Sequence, residues 1–276
     1  LLDCFKALDI ETFGVEPAEN LSILTSKDHN IINEFFGEIA FKKLQTFHKG
    51  YDLITANNVF AHNRELAMFA KTVSKLLSND GIFVFEVQYL VDLLQNVYFD
   101  MIYHEHTSYH HITPLLNVLP EYGLHIFDAE LISTHGGSLR VFASRIPTKI
   151  SSRLSNILVN EKRFFKKGII YRLDEFMESI QRAKLLIECH LISAHKQGKR
   201  IWGYTCPAKA TTLISTLSLE VQNMIEFVVD DSEMKQNRFV PGTKIPIYSS
   251  NNIPTLEQES VCIVFAWNII ESLLDN

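Results

Sequence analysis

The fold is decided by the stretch Tyr51-Asp-Leu-Ile-Thr-Ala-Asn57, together with the segment 64–77 and with Ile82-Phe-Val-Phe-Glu-Val87. The first and last of these pieces are short and apolar, which predicts buried strands. Segment 64–77 has the apolar spacing of an amphipathic helix, and the turn residues Ser78-Asn-Asp-Gly81 end it. A strand, a helix and a second strand of this kind predict neighbouring parallel strands in a sheet covered on both faces.

The same alternation of strands and helices continues on both sides of this unit. Strands are predicted at 12–16, 31–35, 124–131 and 139–144, and helices at 37–46 and 110–122. The sequence therefore predicts an α/β domain over residues 1–146. Ligands bind such sheets outside the carboxyl ends of the strands, so polar residues at those ends are candidate ligand contacts.

A second, smaller α/β domain is predicted over residues 147–276. It begins with a charged helical connection over 150–194, which breaks near Lys167-Gly168. Apolar segments and turn residues then predict three strands and a helix, the strands at 199–204, 225–230 and 261–265 and the helix at 207–217.

Composition describes a soluble globular protein, since 46% of the 276 residues are hydrophobic and 21% are charged. The net charge of −6 argues against a nucleic-acid partner. Four scattered cysteines without a Cys-x-x-Cys pair indicate reduced thiols in a cytoplasmic protein. The sequence has no signal peptide or apolar run of membrane-spanning length, so no membrane partner is predicted. We expect a monomer or a weak homo-oligomer.

The stretch Asp100-Met-Ile-Tyr-His-Glu-His-Thr-Ser-Tyr109 concentrates groups that can move protons near neutral pH. A polar surface loop would explain it without any function. A metal site is a second interpretation, with His104 and His106 as ligands beside His110 or His111. A general acid/base cluster over a bound substrate is the third, and the stretch alone does not separate the three.

Glu16 follows a predicted strand, in the position where an acid can hydrogen-bond both hydroxyls of a nucleotide ribose. An ordinary solvated carboxylate is the alternative. A Gly-rich loop should precede such an acid by about twenty residues. The sequence contains no Gly-x-Gly, and its first residue, Leu1, lies inside a predicted helix. We therefore expect an N-terminally incomplete chain.

An ordered set of motifs along the chain carries a resemblance to a known family. The motifs are Gly14-Val-Glu-Pro-Ala-Glu-Asn20, Asn33-Glu-Phe-Phe-Gly-Glu38, 52–62, Phe85-Glu-Val87, Tyr103-His-Glu-His106, His135-Gly-Gly-Ser-Leu-Arg140, Gly203-Tyr-Thr-Cys-Pro-Ala-Lys209, 227–232, 241–246 and Phe265-Ala-Trp-Asn268. In this order they resemble class I S-adenosylmethionine-dependent methyltransferases. The histidine-rich and glycine-rich motifs are similar to those of sugar C-methyltransferases, which methylate C3 of nucleotide-linked 4-keto-6-deoxyhexoses.

The resemblance implies a Rossmann-like methyltransferase domain that uses S-adenosyl-L-methionine. Glu16 would bind the cofactor ribose, Phe35 or Phe36 would lie near the adenine, and Asn57 and Asn58 would also contact the cofactor. Family members carry a cysteine-rich zinc-binding module, a helical segment and a first strand with its Gly-rich loop ahead of the residues matched here. Because the 276 residues lack that loop, we expect them to bind the cofactor weakly by themselves.

The resemblance also assigns the catalytic groups. His106 would be the base that removes the C3 proton, Glu105 would orient it, tune it or contact the sugar, and Tyr103 would donate to the enolate oxygen. His62 would face the substrate, although a buried structural histidine is an equal alternative. A structural role is favoured for His104, and no metal is predicted.

The substrate contacts are implied in the same way. The turn formed by His135, Gly136 and Gly137 would let the backbone approach the substrate, or would be a plain hairpin turn. Arg140 would meet a phosphate or pack on the sheet, Lys209 would touch the nucleotide diphosphate or face solvent, and Asp230 would bind a ribose or cap a helix. Family members often carry glycine or alanine in place of Thr205, Cys206 and Ala210, so the turn there is expected to differ.

Three other functions stay open on the sequence. They are a methyltransferase acting on another carbonyl compound, a non-catalytic protein that binds a nucleotide-linked sugar, and a nicotinamide-dependent sugar oxidoreductase. The missing Tyr-x-x-x-Lys pair and the Tyr-His-Glu-His stretch favour methyl transfer over the oxidoreductase.

Overall fold

The computed structural model describes residues 1–254 and 259–270. The chain forms two compact units: unit 1 comprises residues 1–87, 110–131 and 139–160, and unit 2 comprises residues 88–109, 132–138 and 161–276. The units alternate along the chain, so each is built from several separate segments. The domain division after residue 146 stays a prediction.

The helices, numbered in chain order, are α1 (Leu2–Lys6), α2 (Glu19–Thr25), α3 (Glu38–Phe47), α4 (Leu66–Leu76), α5 (Leu90–Gln95), α6 (Ile112–Val118), α7 (Ser152–Phe164), α8 (Ile169–Lys196), α9 (Ala208–Thr216) and α10 (Leu219–Gln222). The strands are β1 (Phe13–Val15), β2 (Asn30–Ile32), β3 (Tyr51–Asn57), β4 (Leu77–Gln88), β5 (His125–Ile132), β6 (Ser138–Ser144), β7 (Arg200–Tyr204), β8 (Ile225–Val229), β9 (Arg238–Phe239), β10 (Pro246–Tyr248) and β11 (Ser260–Val264).

The predicted βαβ unit at the centre of unit 1 is confirmed, because β3 and β4 are parallel and α4 connects them. Phe83 and Phe85 of β4 are fully buried, and their rings stack with centroids 5.0 Å apart. The predicted turn Ser78–Gly81 is wrong, since these residues lie within β4. The register with β3 passes directly from Leu77, opposite Tyr51, to Ile82, opposite Leu53, so these four residues bulge out of that pairing.

Among the described residues, the strands of unit 1 lie in two sheets. The parallel pair β1–β2 forms one sheet, and the order β3-β4-β6-β5 forms the other. Phe13 of β1 and Tyr51 of β3 meet through side chains in a small core, at a ring distance of 5.7 Å.

One helix boundary differs from the prediction and another agrees with it, each for a local reason. The helix expected over 110–122 is α6 followed by a 3-10 turn from Leu119 to Tyr122, because Pro120 has no N–H for an α-helical hydrogen bond. The predicted break near Gly168 is confirmed: α7 ends before it, and Gly168 has a φ of +93° ahead of α8.

Unit 2 contains a five-stranded sheet in the order β11-β7-β8-β10-β9. Within this sheet, the pairs β11–β7, β7–β8 and β8–β10 are parallel, and the edge pair β10–β9 is antiparallel. Its core includes Ile201, Val228, Ala210 and Phe265. This confirms an α/β architecture for the C-terminal region. No helix in the described part of the chain is both long enough and apolar enough to cross a membrane.

Candidate functional site

The histidine-rich stretch lies in unit 2, where buried side chains anchor its beginning. Phe99–Met101 form a 3-10 turn, and the side chains of Phe99 and Met101 pack into a core cluster with Leu93 and Phe176. This packing fixes the backbone carbonyl of Met101. The carbonyl then becomes the anchor for two rings further along the stretch.

His106 is held in one orientation by that carbonyl. Its Nδ1 atom lies 2.9 Å from the oxygen of Met101, and its ring packs against Tyr103 in a tilted arrangement with centroids 4.2 Å apart. Because a carbonyl oxygen can only accept a hydrogen bond, Nδ1 of His106 must carry the hydrogen in this contact. In the neutral ring, Nε2 is then the basic nitrogen.

Two phenols flank this imidazole. Tyr109 donates its hydroxyl to the oxygen of Met101 over 3.4 Å, and its ring lies 6.0 Å from that of His106 in an edge-on arrangement. Burial raises the pKa of Tyr109 to about 12. Burial, and then the negative charge of Glu105, raise the pKa of Tyr103. Both phenols therefore remain protonated donors at neutral pH.

The other predicted catalytic residues are placed differently. Glu105 and His104 are exposed on the same stretch. His62 lies in unit 1 as the last residue of the 3-10 turn Phe60–His62, and its side chain is exposed rather than buried. The alternative of a buried structural histidine is therefore wrong for His62.

The metal interpretation receives no geometric support within the described ranges. No group there of three or more His, Cys, Asp or Glu side chains could hold a metal ion. His110 belongs to unit 1, where its ring packs 5.3 Å from that of Phe60. Burial, helped by the charge of His111, lowers the pKa of His110 to about 4, as expected for a neutral core histidine.

Trp267 is a site residue to which the sequence analysis gave no role. Its indole Nε1 donates to Oδ2 of Asp100 over 2.6 Å, and its ring stacks on Tyr98 with centroids 4.4 Å apart. Asp100 is buried, and this burial raises the pKa of its carboxyl although the bond from Trp267 opposes the rise. The motif Phe265-Ala-Trp-Asn268 was the signal that could have identified it.

Lys209 lies in the same cluster and is only 6% exposed, so the alternative of a solvent-facing lysine is wrong. Its Nζ atom is 4.7 Å from the centroid of Trp267 and donates to Oδ1 of Asn268. Burial lowers the pKa of Lys209, and the charge of Asp100 opposes that change. The diphosphate role of Lys209 stays a prediction.

The glycine turn borders this cluster. Gly136 has a φ of +82°, and a Cβ atom there would lie 2.6 Å from the Trp267 ring; at Gly137, with φ +128°, it would lie 2.4 Å from the carboxylate of Asp92. Both glycines are therefore required by conformation and by close packing. His135 is exposed and has a φ of +53°.

Asp230 organises the loop that follows β7. It is buried, and its carboxylate accepts from the backbone N–H of Cys206 at 2.6 Å and of Ser232 at 2.9 Å. Although burial opposes the change, these N–H groups and Lys235 hold the pKa of Asp230 below its usual value. This arrangement favours the structural alternative for Asp230 over the ribose contact.

Arg140 is placed in unit 1, on β6. Its guanidinium donates to Glu86 at 2.6 Å and to Glu130 at 2.9 Å. The bond to Glu86, despite the opposing effect of burial, raises the pKa of Arg140. Two carboxylates already match its charge, which favours the packing alternative over a phosphate contact.

Glu16 ends the β1 region of unit 1 as a half-buried carboxylate. Its Oε1 accepts from the backbone N–H of Ala18 over 2.8 Å, which leaves Oε2 as a further acceptor of the same carboxylate. Asn33 donates to the backbone oxygens of Glu16 and Pro17 at 2.9 and 3.2 Å. These bonds explain why β2 ends at Ile32 instead of continuing to Phe35.

The remaining predicted cofactor residues also lie in unit 1. Phe35 is 81% exposed, whereas Phe36 packs against Phe69 with ring centroids 4.6 Å apart. Asn57 pairs with Glu86 at the carboxyl end of β3. Asn58 follows with a φ of +54° and donates its N–H to the oxygen of Glu86 over 3.0 Å.

Comparison with known proteins defines the class. Residues 1–128 match the model of a methyltransferase domain, and residues 133–276 match that of a C-methyltransferase C-terminal domain. The chain belongs to the family that this C-terminal domain defines. The C-methyltransferase NovU of Streptomyces niveus is 30% identical over 286 aligned positions, which cover all of this chain and 66% of the relative. The chain thus spans just under two thirds of that relative's length.

The solved structures to which the chain is similar are more distant. The PH0226 protein of Pyrococcus horikoshii OT3 is 14% identical, with a TM-score of 0.39 over 53% of this chain and 76% of its own. A SAM-dependent methyltransferase of Archaeoglobus fulgidus is 17% identical, with a TM-score of 0.39 over 60% of this chain and 72% of its own.

Proposed function

We propose that the protein is an S-adenosylmethionine-dependent C-methyltransferase that acts on a nucleotide-linked keto-deoxysugar. The observation that carries the proposal is the fixed imidazole of His106, whose Nδ1 donates to the oxygen of Met101 while its ring packs against Tyr103. A neutral imidazole held in one tautomer is suited to accept a proton at Nε2. The family match and the relative NovU support transfer to carbon.

The proposed chemistry begins at the carbon next to the keto group. The ketone acidifies the C3 hydrogen, His106 takes that proton on Nε2, and the electron pair moves to the carbonyl oxygen to form an enolate. Tyr103 donates to that oxygen, because its raised pKa keeps the phenol protonated. The negative charge of exposed Glu105 acts on the neighbouring phenol of Tyr103.

The residues present fit the nucleoside part of the cofactor. Glu16 offers a half-buried carboxylate to two ribose hydroxyls, and Phe35 offers an exposed aromatic face to an adenine. Phe36, packed on Phe69, is the less suitable ring. When bound, S-adenosylmethionine supplies an electrophilic methyl group to the nucleophilic carbon.

The nucleotide part of the substrate is assigned to unit 2. Lys209 brings a buried positive charge beside the stacked rings of Trp267 and Tyr98, which suits a diphosphate near aromatic faces. The turn of His135, Gly136 and Gly137 borders the same rings. A different carbonyl substrate, or binding without catalysis, would use the same groups.

The test is a methyl-transfer assay with isotopically labelled S-adenosylmethionine and a panel of nucleoside-diphosphate-linked 4-keto-6-deoxyhexoses. The proposal expects the label on the carbon adjacent to the ketone. Binding of these sugars without any transfer would favour the non-catalytic alternative, and transfer only to other carbonyl compounds would favour a different substrate class.

A further inference from the structure

Gln88, the last residue of β4, carries a buried amide that the proposed mechanism does not use. The residue is 7% exposed, and its Oε1 and Nε2 atoms are both buried. Neither atom has a hydrogen-bond partner among the residues that the structure describes. Folded proteins pair the large majority of such groups, and those that stay unpaired call for a functional or solvent explanation.

The position of Gln88 connects it to the candidate site of unit 2. The next residue, Tyr89, donates its N–H to the oxygen of Gly137 over 3.2 Å. The neighbouring Gly136 touches the Trp267 ring, which in turn bonds Asp100. The carboxyl end of a buried strand is also where α/β sheets bind their ligands.

The chemistry of an amide restricts what can satisfy it. The oxygen accepts and the nitrogen donates, so an anion could pair only with the nitrogen and a cation only with the oxygen. An apolar group would leave both unpaired. A hydroxyl donates and accepts, and a sugar carries several of them on one ring.

We propose that Gln88 is a specificity-determining residue that hydrogen-bonds a hydroxyl of the sugar ring through both its amide oxygen and its amide nitrogen. This inference rests on the proposed function, because it takes the keto-deoxysugar as the substrate. It assigns to Gln88 the recognition of a ring hydroxyl, whereas His106 and Tyr103 act at the reacting carbon.

The test combines two measurements on Gln88→Met, which keeps the length of the side chain and removes its polar atoms. Without ligand, the variant should unfold at a Tm higher by roughly 2–4 °C, because no unpaired amide remains buried. Its Kd for the keto-sugar nucleotide should be weaker by on the order of tenfold to a hundredfold. Its Kd for the corresponding nucleoside diphosphate, which lacks the sugar, should be unchanged.

Gln95→Met is the matched control, since Gln95 is an exposed glutamine at the end of the adjacent helix α5. It should change neither Tm nor affinity. A further measurement uses deoxy analogues of the sugar nucleotide, which should show one hydroxyl whose removal weakens binding to the wild type but not to Gln88→Met.

Three results would overturn the inference. A lower Tm with unchanged sugar-nucleotide affinity would mean that the amide binds a buried water only. Unchanged affinity in Gln88→Met for a sugar that the wild type methylates would remove Gln88 from recognition and leave the proposed function standing. A wild type that neither binds nor methylates any keto-sugar nucleotide would overturn the proposed function itself, and this inference with it.

Discussion

The indole Nε1 of Trp267 lies 2.6 Å from a carboxylate oxygen of Asp100, although the two residues are 167 positions apart in the chain. The contact ties the end of β11 to the start of the histidine-rich stretch. Because Lys209 lies over the same indole, a displacement of this ring would disturb the buried carboxylate of Asp100 and the buried ammonium group of Lys209 at once.

Gly136→Ala tests how closely that ring is packed. The added methyl group would meet the Trp267 ring at 2.6 Å and would also force alanine into a φ of +82°. We expect a loss of unfolding free energy of about 2–4 kcal/mol and a shift in tryptophan emission. Measuring the emission in a Trp202→Phe background leaves Trp267 as the single tryptophan.

Gly242→Ala is the control for backbone strain alone, because Gly242 has a φ of +77° and no neighbouring atom within 4 Å of an added Cβ. It should cost about 1 kcal/mol and leave the emission unchanged. Equal losses in the two variants would show that the contact with Trp267 is not tight.

Thr205 provides a prediction about an unusual turn. Its φ is +64°, which is strained for a β-branched residue, and its Oγ1 accepts from the backbone N–H of Ala266 over 3.0 Å. Thr205→Ala keeps the strain and loses the acceptor, so it should cost about 1–3 kcal/mol. Thr205→Gly also loses the acceptor, but it relieves backbone strain of about 1–2 kcal/mol. Denaturant unfolding should therefore show that Thr205→Gly is more stable than Thr205→Ala. Wild-type stability of Thr205→Ala would refute the role of the hydroxyl.

Asp230 should contribute stability that depends on pH. Burial raises the pKa of Asp230, but the hydrogen bonds from the N–H groups of Ser232 and Cys206 lower it by more, so its pKa in the folded state lies below the usual value. On acidification the unfolded state therefore takes up the proton first. The contribution is therefore complete above the unfolded pKa of about 3.9 and is lost as the pH falls through the folded pKa. Asp230→Asn should cost on the order of 1–3 kcal/mol at pH 7.

Thermal unfolding from pH 7 downward measures this effect. The gap between Asp230→Asn and the wild type should narrow once the pH is below about 4. Asp231→Asn, at the exposed neighbouring carboxylate, is the control and should show no comparable gap. A gap for Asp230→Asn that stays constant across this range would rule out the charged hydrogen bonds as its cause.

Glu16→Ala tests the proposed cofactor site. Loss of the carboxylate should weaken S-adenosylmethionine binding by about tenfold to a hundredfold in calorimetry. The matched variant Glu19→Ala removes an exposed carboxylate from the first turn of α2 and should bind as the wild type does. Unchanged affinity in Glu16→Ala would make the ribose role wrong.

Local patterns located many elements of the fold but missed the short strands β9 and β10. The apolar run of β3 was bounded correctly at Tyr51 and Asn57. The prediction that this strand is buried was wrong, because only Ala56 of β3 is buried and Leu53 is 43% exposed. The turn signal Ser78–Gly81 was wrong about the assignment, because these residues belong to β4, but they bulge out of its register with β3 between Leu77 and Ile82. Local turn propensity does not distinguish such a bulge from a chain reversal.

The site was predictable only in part. The proton-active residues stand together in the sequence, so the stretch from Tyr103 to Tyr109 could be singled out. The partners of Trp267 and the burial of Lys209 depend on contacts between distant segments, and no periodicity encodes them. Gln88 is an ordinary polar residue in the sequence, and only its unpaired burial distinguishes it.

The central claim is that His106 removes the proton from the carbon that is methylated. Its most direct test is the exchange of the sugar C3 hydrogen in deuterated water, measured by NMR or mass spectrometry without cofactor, which separates enolisation from methyl transfer. His106→Ala should slow exchange on the order of a hundredfold to ten-thousandfold, Tyr103→Phe should slow it less, and His104→Ala, at the exposed histidine of the same stretch, should exchange as the wild type does. Exchange at the wild-type rate in His106→Ala would contradict the account and move the base to another residue.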